Sequence, residues 1–494
     1  MTSDTLASDA PTLDLAPTDP AHAARNSLVI NVLLVSTFVV MLNETAMTVA
    51  IPKLMQALAV DATAAQWLTT AFLLTMAVVI PITGYLLQRF NSRPIFLLAM
   101  TLFTTGTAVA AIAPDIWVLV GARVVQAGGT AIMMPLLMTT VMTLVPPDQR
   151  GKMMGNISIV MSVAPAVGPV LAGFILAYLD WRWFFLIMIP IALVALAIGY
   201  RMMVNVSTPR KAPLDYLSVV LSALAFGGIV YGLSGFGVEG GEQPFNPLIP
   251  LVIGAVVMVL FVWRQLVLAP KGAALLDLST LKERNFTAAM SMISILMLAM
   301  FGTIILLPIY LATVIGFDTW QIGLLMMPGS LLMGLLGPIV GRIYDKVGPR
   351  PLIIPAMALV TLVLWAMTLL DVGTPWQFIL IGHLVQSLGF AFLFGPLFTA
   401  SLSSVPPKLY SHGSAFVGSV QQVAGAAGVA LFIALMSSRQ ASLLAGGTGE
   451  LEALAGGIRL AFTVGAVIAI FALIASFFVK RPPAQEGGGW GGGH

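Results

Sequence analysis

One acid in this chain sits where an acid is costly. Of the 20 Asp and Glu residues, only Glu44 falls inside a long apolar stretch, within VVMLNETAMTVAIP; the rest lie in tails, loops or at the ends of such stretches. A charge near the centre of a bilayer costs about 2.5–3.5 kcal/mol on insertion scales, so Glu44 needs a partner, a cavity or a proton. Arg123 is the matching exception among the 23 Lys and Arg residues. The stretch holding Glu44 ends near Pro52, and the stretch holding Arg123 begins near Asp115. At ~1.5 Å per residue both lie ~12 Å below one surface, close to the midplane of a ~30 Å hydrocarbon core. The expectation is that Glu44 and Arg123 face each other, directly or through water. Such a carboxylate can take up and release a proton, with an affinity that follows its distance from the guanidinium and its degree of desolvation. The plainer reading is a structural ion pair that fixes helix packing. His383 is the third titratable group at this depth. It either titrates near neutral pH or serves as a neutral hydrogen-bonding residue.

Other chemistries find no residues. The chain has no cysteine, so disulfides, thiolate metal sites and cysteine nucleophiles are excluded, and His22, His383, His412 and His494 are too scattered to ligate a metal. No GxxxxGK[ST] phosphate loop occurs, which argues against an ATP-driven pump. No nucleophile–base constellation suggests an enzyme. No cofactor is expected. The net charge of +3 resides in short loops, so nucleic acid is not an expected partner.

The elements that must position these groups are apolar helices. Hydrophobic residues make up 59% of the chain and charged ones 9%, against roughly a quarter charged in soluble domains. Its solvent is therefore lipid, the bilayer being its first partner. Long apolar blocks, not short alternating segments, exclude an outer-membrane barrel. Spans are expected at about 28–50, 64–87, 94–113, 116–145, 153–177, 182–203, 215–236, 248–268, 286–312, 320–343, 351–371, 376–404, 414–436 and 458–479. Fourteen spans put both termini on one side. Eighteen Lys and Arg residues fall in loops and tails on that side, against Lys53, Arg182, Arg439 and Arg459 opposite. The basic side is expected to be cytoplasmic, in a multi-pass inner-membrane protein.

The chain also repeats itself. GYLLQRFNSRPIFL at 84–97 matches GRIYDKVGPRPLII at 341–354, and GARVVQAGGTAIMMPLLMTTVMTLVPP at 121–147 matches IGHLVQSLGFAFLFGPLFTASLSSVPP at 381–407. His383 thereby aligns with Arg123. The expected organisation is a disordered tail at 1–27, a six-helix bundle at 28–203, an inserted helix pair within 204–285, a second bundle at 286–479 and a flexible end at 480–494. Parallel six-helix repeats with a site between them near the midplane are the architecture of a rocking transporter.

These residues carry a resemblance. The chain resembles the major facilitator superfamily, and within it the drug:proton antiporters with fourteen spans. Gly84, Arg89, Arg93 and Pro94 are similar to the first-repeat loop motif, and Gly341, Asp345, Lys346, Gly348 and Arg350 to its second-half copy. Arg123, Gln126, Gly128, Gly129 and Pro135 resemble the fourth-helix motif, while Pro165, Gly168, Pro169 and Gly173 resemble the antiporter motif of helix five. DWRWFF at 180–185 and LDYL at 214–217 are similar to signatures of the fourteen-span branch. The resemblance implies an all-α membrane protein of the major facilitator fold, two six-helix bundles plus two inserted helices. It also implies that helices one and four line a central cavity and that the helix-five bend seals the repeat interface. The loop motifs are then a gate on the basic side, formed by Gly84, Arg89, Arg93, Gly341, Asp345, Lys346 and Arg350. Two positions depart from the family. Gln88 stands where an acid is usual, and Asn43 holds the usual acid position on helix one, with Glu44 one residue on. One residue turns a side chain by about 100° around a helix, so two sites are open for the proton, Glu44 or another group.

The implied function is export of drugs or similar amphipathic small molecules in exchange for protons, with the proton gradient as energy source and one chain as the working unit. Glu44, Arg123 and His383 are the coupling candidates, and Asn43, Met47, Gln126, Met134, Gln386, Phe394 and Gln422 the cavity candidates, flexible methionines suiting a promiscuous apolar pocket. The alternatives are export of a dedicated metabolite, lipid or peptide, uptake by proton symport, or a membrane sensor with the same fold.

Overall fold

Backbone groups in hydrocarbon must be satisfied within the segment that carries them, and an apolar stretch of about twenty residues does this as an α-helix. The computed structural model describes residues 20–60, 62–205, 215–235 and 246–480, and these are helical wherever the sequence is continuously apolar. The first bundle contains α1 (Pro20–Leu58), α2 (Ala62–Arg89), α3 (Ser92–Ala111), α4 (Ile116–Leu144), α5 (Arg150–Tyr178) and α6 (Arg182–Met202). The inserted pair is α7 (Tyr216–Gly235) and α8 (Leu248–Leu268). The second bundle contains α9 (Arg284–Tyr310), α10 (Thr319–Val347), α11 (Arg350–Met367), α12 (Trp376–Ser403), α13 (Tyr410–Ala445) and α14 (Glu450–Ser476). Among the described residues, fourteen helical segments are long and apolar enough to cross a membrane.

Polar residues set several of the ends. Asp115 accepts hydrogen bonds from the backbone N–H groups of Trp117 and Val118 at the start of α4, and Asp318 with Gln321 forms a capping box at the start of α10. Four boundaries differ most from expectation. α1 begins at Pro20 and runs through Pro52 to Leu58, because PAHAARN carries good helix formers behind a proline suited to the first turn. α13 continues to Ala445 and α14 begins at Glu450, so Arg439 and Arg459 ride on helices rather than in a loop. Apolar periodicity marks where a helix is immersed, and helix-forming sequence carries it further. The ends expected to be disordered, at 1–19 and 481–494, lie outside the described residues, as do 206–214 (with Arg210, Lys211 and Leu214) and 236–245 (with Glu239 and Glu242).

Packing reproduces the internal repeat helix by helix. In the first bundle α1 packs on α4, α5 and α6, α3 on α4 and α6, and α2 on α4; in the second, α9 packs on α12, α13 and α14, α11 on α12 and α14, and α10 on α12. The bundles meet along α5–α10 and its counterpart α2–α13, with α5–α12 and α4–α13 beside them. The inserted α7 lies against both α2 and α13, along this seam.

Candidate coupling and gating sites

Arg123 is buried, 2% exposed, and hydrogen-bonded through two of its three nitrogens. Its Nη1 donates to Asn43 Oδ1 at 3.2 Å and to Gln126 Oε1 at 2.6 Å, and its Nε donates to the Leu68 carbonyl at 3.5 Å. The guanidinium carbon lies 4.0 Å from the centre of the Phe72 ring. Gln126 in turn donates from Nε2 to Thr107 Oγ1 at 2.8 Å. Four polar side chains from α1, α3 and α4, with the Phe72 ring of α2 against the guanidinium, thus form one cluster in an apolar bundle. A charge so enclosed is tolerated because hydrogen bonds and a ring face replace its water.

Glu44 lies one residue beyond Asn43, partly exposed and within electrostatic reach of Arg123. Among the described residues it makes no ion pair with Arg123; Asn43 takes the guanidinium. The two helices do meet at the level of these residues, Asn43 against Arg123, although α1 extends well past Pro52. Beside Glu44, Thr45 Oγ1 bonds to the Ala164 carbonyl of α5 at 3.3 Å. Gly168 is what permits this approach, since a Cβ there would run into Thr45 Oγ1 and sit 2.9 Å from the Leu42 carbonyl. Gly173 of the same motif faces open space, with nothing within 4 Å of an added Cβ. Pro165 is half-buried, and the side chain of Pro169 lies outside the described residues.

The second bundle builds a weaker copy of the cluster. Gln386 Nε2 donates to Thr303 Oγ1 of α9 at 3.1 Å, and His383 Nε2 meets the Met326 carbonyl of α10 at 3.1 Å. Both residues are buried, and His383 Nδ1 and Gln386 Oε1 have no protein partner among the described residues. Of the expected cavity residues, Asn43, Gln126 and Gln386 bind other side chains, Met47 is buried in a core cluster, and Phe394 stacks on Phe398 with Phe390 tilted against its other side. Met134 and Gln422 keep partial exposure.

The residues expected to form a gate part into two sets. Asp345 crosses the seam: its carboxylate accepts from the backbone N–H of Gly151 at 2.7 Å and of Lys152 at 2.8 Å, at the N-terminus of α5. An anion is favoured there by unpaired N–H groups and the helix dipole. Glycines make the crossing possible, because a Cβ on Gly341 would strike the Gly151 carbonyl and one on Gly155 the Gly337 carbonyl. Gly84 does the same on the other flank, where its Cβ would lie 3.1 Å from that of Ala415. Arg93 and Arg350 stay within their own bundles. Arg93 Nη2 donates to the Tyr200 carbonyl at the end of α6, and Arg350 donates from Nε and Nη2 to the Val479 and Phe477 carbonyls just beyond α14. They are equivalent braces between the third and sixth helices of each repeat. Arg89 sits in the last turn of α2, and Lys346, in the last turn of α10, is exposed.

Three contacts were not visible in the sequence. Thr139 and Ser414 bond across the seam at 2.6 Å, and Arg150 reaches over the Tyr410 ring at 5.5 Å. At the foot of the inserted pair, Arg264 grips Asp215 through Nε at 2.6 Å and Nη2 at 2.7 Å. The Arg264 guanidinium, with Ser218, holds the Asp215 carboxyl down to about 2. Gln265 then links Ser218 to the backbone N–H groups of Leu275 and Leu276 in the linker to α9. The pattern of an acid at the start of α7 and a base near the end of α8 was available as a signal, but no periodicity pairs them.

Two pseudo-symmetric six-helix bundles, each with a buried polar cluster and joined along a glycine-lined seam, have the architecture of a membrane transporter. The chain belongs to the Major Facilitator Superfamily, whose sequence profile matches residues 33–429. It is 37% identical to the lincomycin resistance protein LmrB of Listeria innocua, over 91% of this chain and 95% of that protein. It is 29% identical to the multidrug export protein EmrB of Haemophilus influenzae, over 82% and 79%. The crystal structure of the human organic anion transporter MFSD10 (TETRAN) superimposes with a TM-score of 0.66 at 15% identity, covering 91% of this chain and 99% of that one, a likeness of fold.

Proposed function

We propose that the protein exports amphipathic small molecules, with lincosamide-like drugs as the first candidates, in exchange for protons across the cytoplasmic membrane. The observation that carries this reading is the placement of Glu44, a partly exposed acid on α1 next to the Asn43 that holds the buried Arg123, in a chain whose two bundles are joined by seam contacts near the basic face. By the positive-inside rule that face is cytoplasmic, with both termini inside, and the conformation is closed to the cytoplasm. In the opposite conformation, a deprotonated Glu44 favours a neutral or cationic apolar ligand. Once the site opens outward, protonation of Glu44 weakens ligand binding and releases the cargo. A ligand shifts such a two-state equilibrium only by its differential affinity, and the proton supplies the difference. One chain holds both bundles and the seam, so the monomer is the working unit. The names of LmrB and EmrB support the drug-export part of this reading.

The test is reconstitution in vesicles with an imposed proton gradient, a pH-sensitive dye, and a panel of lincomycin, lipophilic cations and other antibiotics. A compound that dissipates the gradient with wild type and not with folded Glu44→Gln supports antiport through Glu44. An identical response from the two moves the proton to another group. No response to any compound favours a dedicated cargo.

A further inference from the structure

We propose that a groove between the start of α9 and the end of α14, on the basic face, binds the headgroup of an anionic phospholipid. The groove has a volume of about 340 Å³, and its lining includes Arg284, Thr287 and Ser291, flanked by Leu281, Ala288 and Phe478. Arg284 is the first residue of α9 and Phe478 follows the last turn of α14, so the groove lies at the level where two spans leave the hydrocarbon. The site depends on neither a cargo nor a proton.

Charge selects the ligand. Lys480 is drawn to the start of α9 by its backbone N–H, which donates to Asn285 Oδ1 at 2.8 Å. Lys282 is two residues before Arg284, and all three cations are exposed. Among the described residues none of the three is in an ion pair. Arg350 is occupied by the Phe477 and Val479 carbonyls, and the one acid in the 280–285 stretch is Glu283, at the N-cap of α9. The hydroxyls of Thr287 and Ser291 already donate, to the carbonyls of Leu281 and Thr287. Arg284 is therefore the donor for a phosphodiester, whose two free oxygens match the guanidinium fork. Phe478, 68% exposed, and Leu281, 38% exposed, extend an apolar surface from the same groove toward acyl chains. That surface favours a lipid over free phosphate. Lys282 and Lys480, in no ion pair among the described residues, favour an anionic headgroup over one that carries its own ammonium.

The experiment is native mass spectrometry of the purified full chain in detergent, titrated separately with phosphatidylglycerol, phosphatidylcholine and inorganic phosphate. Wild type should retain phosphatidylglycerol in preference to phosphatidylcholine, and millimolar phosphate should not displace it. Arg284→Gln should weaken retention about five-fold, the usual effect of one basic residue at an anionic surface. Ala288→Phe, which fills the groove and leaves every charge in place, should also weaken it and serves as the second readout if Arg284→Gln is unstable. Arg201→Gln, an exposed base at the end of α6, should change nothing. Equal retention by wild type and both groove variants overturns the proposal. So does an equal loss in Arg201→Gln, equal binding of phosphatidylcholine, or displacement by free phosphate.

Discussion

Asn43 Oδ1, and not the carboxylate of Glu44, accepts the hydrogen bond from Arg123 Nη1, at 3.2 Å. The buried cation is thus held by a neutral amide, and the neighbouring acid is left without a direct ion pair. A carboxylate locked to its guanidinium would resist protonation, whereas one a step away can exchange its proton while Arg123 keeps its other partners. The structural-pair reading requires contact between Glu44 and Arg123, which this conformation does not have.

Glu44→Gln should fold normally and lower cargo-driven proton flux about ten-fold, within the usual range for coupling between two sites. Adding Asn43→Asp places a carboxylate directly on Arg123. A carboxylate locked to the guanidinium in this way resists protonation, so the double variant should stay within about three-fold of Glu44→Gln, and recovery of wild-type flux would mean that proximity to Arg123 alone suffices. Dye-reported proton flux in vesicles separates these outcomes, and size-exclusion profiles establish folding.

Asp345→Ala removes two hydrogen bonds and a charge from the N-terminus of α5. Such a cap is worth about 1–2 kcal/mol, so the open-to-closed ratio of the basic face should rise roughly five- to thirty-fold. The absence of native cysteine permits spin labels at Asp148→Cys and Lys408→Cys, one on each bundle. Their separation should lengthen in Asp345→Ala. An unchanged distance distribution would mean that the glycine contacts alone close the face.

The Asp215–Arg264 clamp should be insensitive to physiological pH. Arg264 holds the carboxyl at about 2, below the ordinary value of about 3.9. A depressed folded-state pKa gives stability that is complete above the unfolded value and lost as pH falls through the folded one. The difference in melting temperature between wild type and Asp215→Asn should therefore be flat from pH 8 to 5 and shrink from pH 4 toward 2. A difference that shrinks between pH 7 and 5 would assign the effect to another group.

The two glycines of the helix-five motif should behave differently. Gly168→Ala drives a methyl group into Thr45 and the Leu42 carbonyl of α1, and should cost about 1–3 kcal/mol as an overpacked contact. Gly173→Ala meets open space and should stay within about 1 kcal/mol of wild type. Thermal unfolding in detergent measures both. Equal sensitivity would mean that Gly173 is contacted in another conformation.

Much of this protein is legible without coordinates. Apolar runs are long enough that only helices satisfy their backbone, so the number of spans follows from composition. The repeat at 84–97 and 341–354 anticipates the matched packing of the two bundles, and it marks Asp345, with Gln88 in the equivalent place, as the charged member of an unequal pair of positions. Relative level also follows from counting at a fixed rise per residue, which is how α1 near Glu44 and α4 at Arg123 are expected to meet. Azimuth does not follow, because the direction a side chain takes around a helix depends on which neighbours press on it. Only the tertiary structure chose Asn43 over Glu44 for Arg123, turned Arg93 and Arg350 inward to brace their own bundles, and set Gly168 against α1 while leaving Gly173 free. Sequence is read along one axis, and these contacts are decided around it.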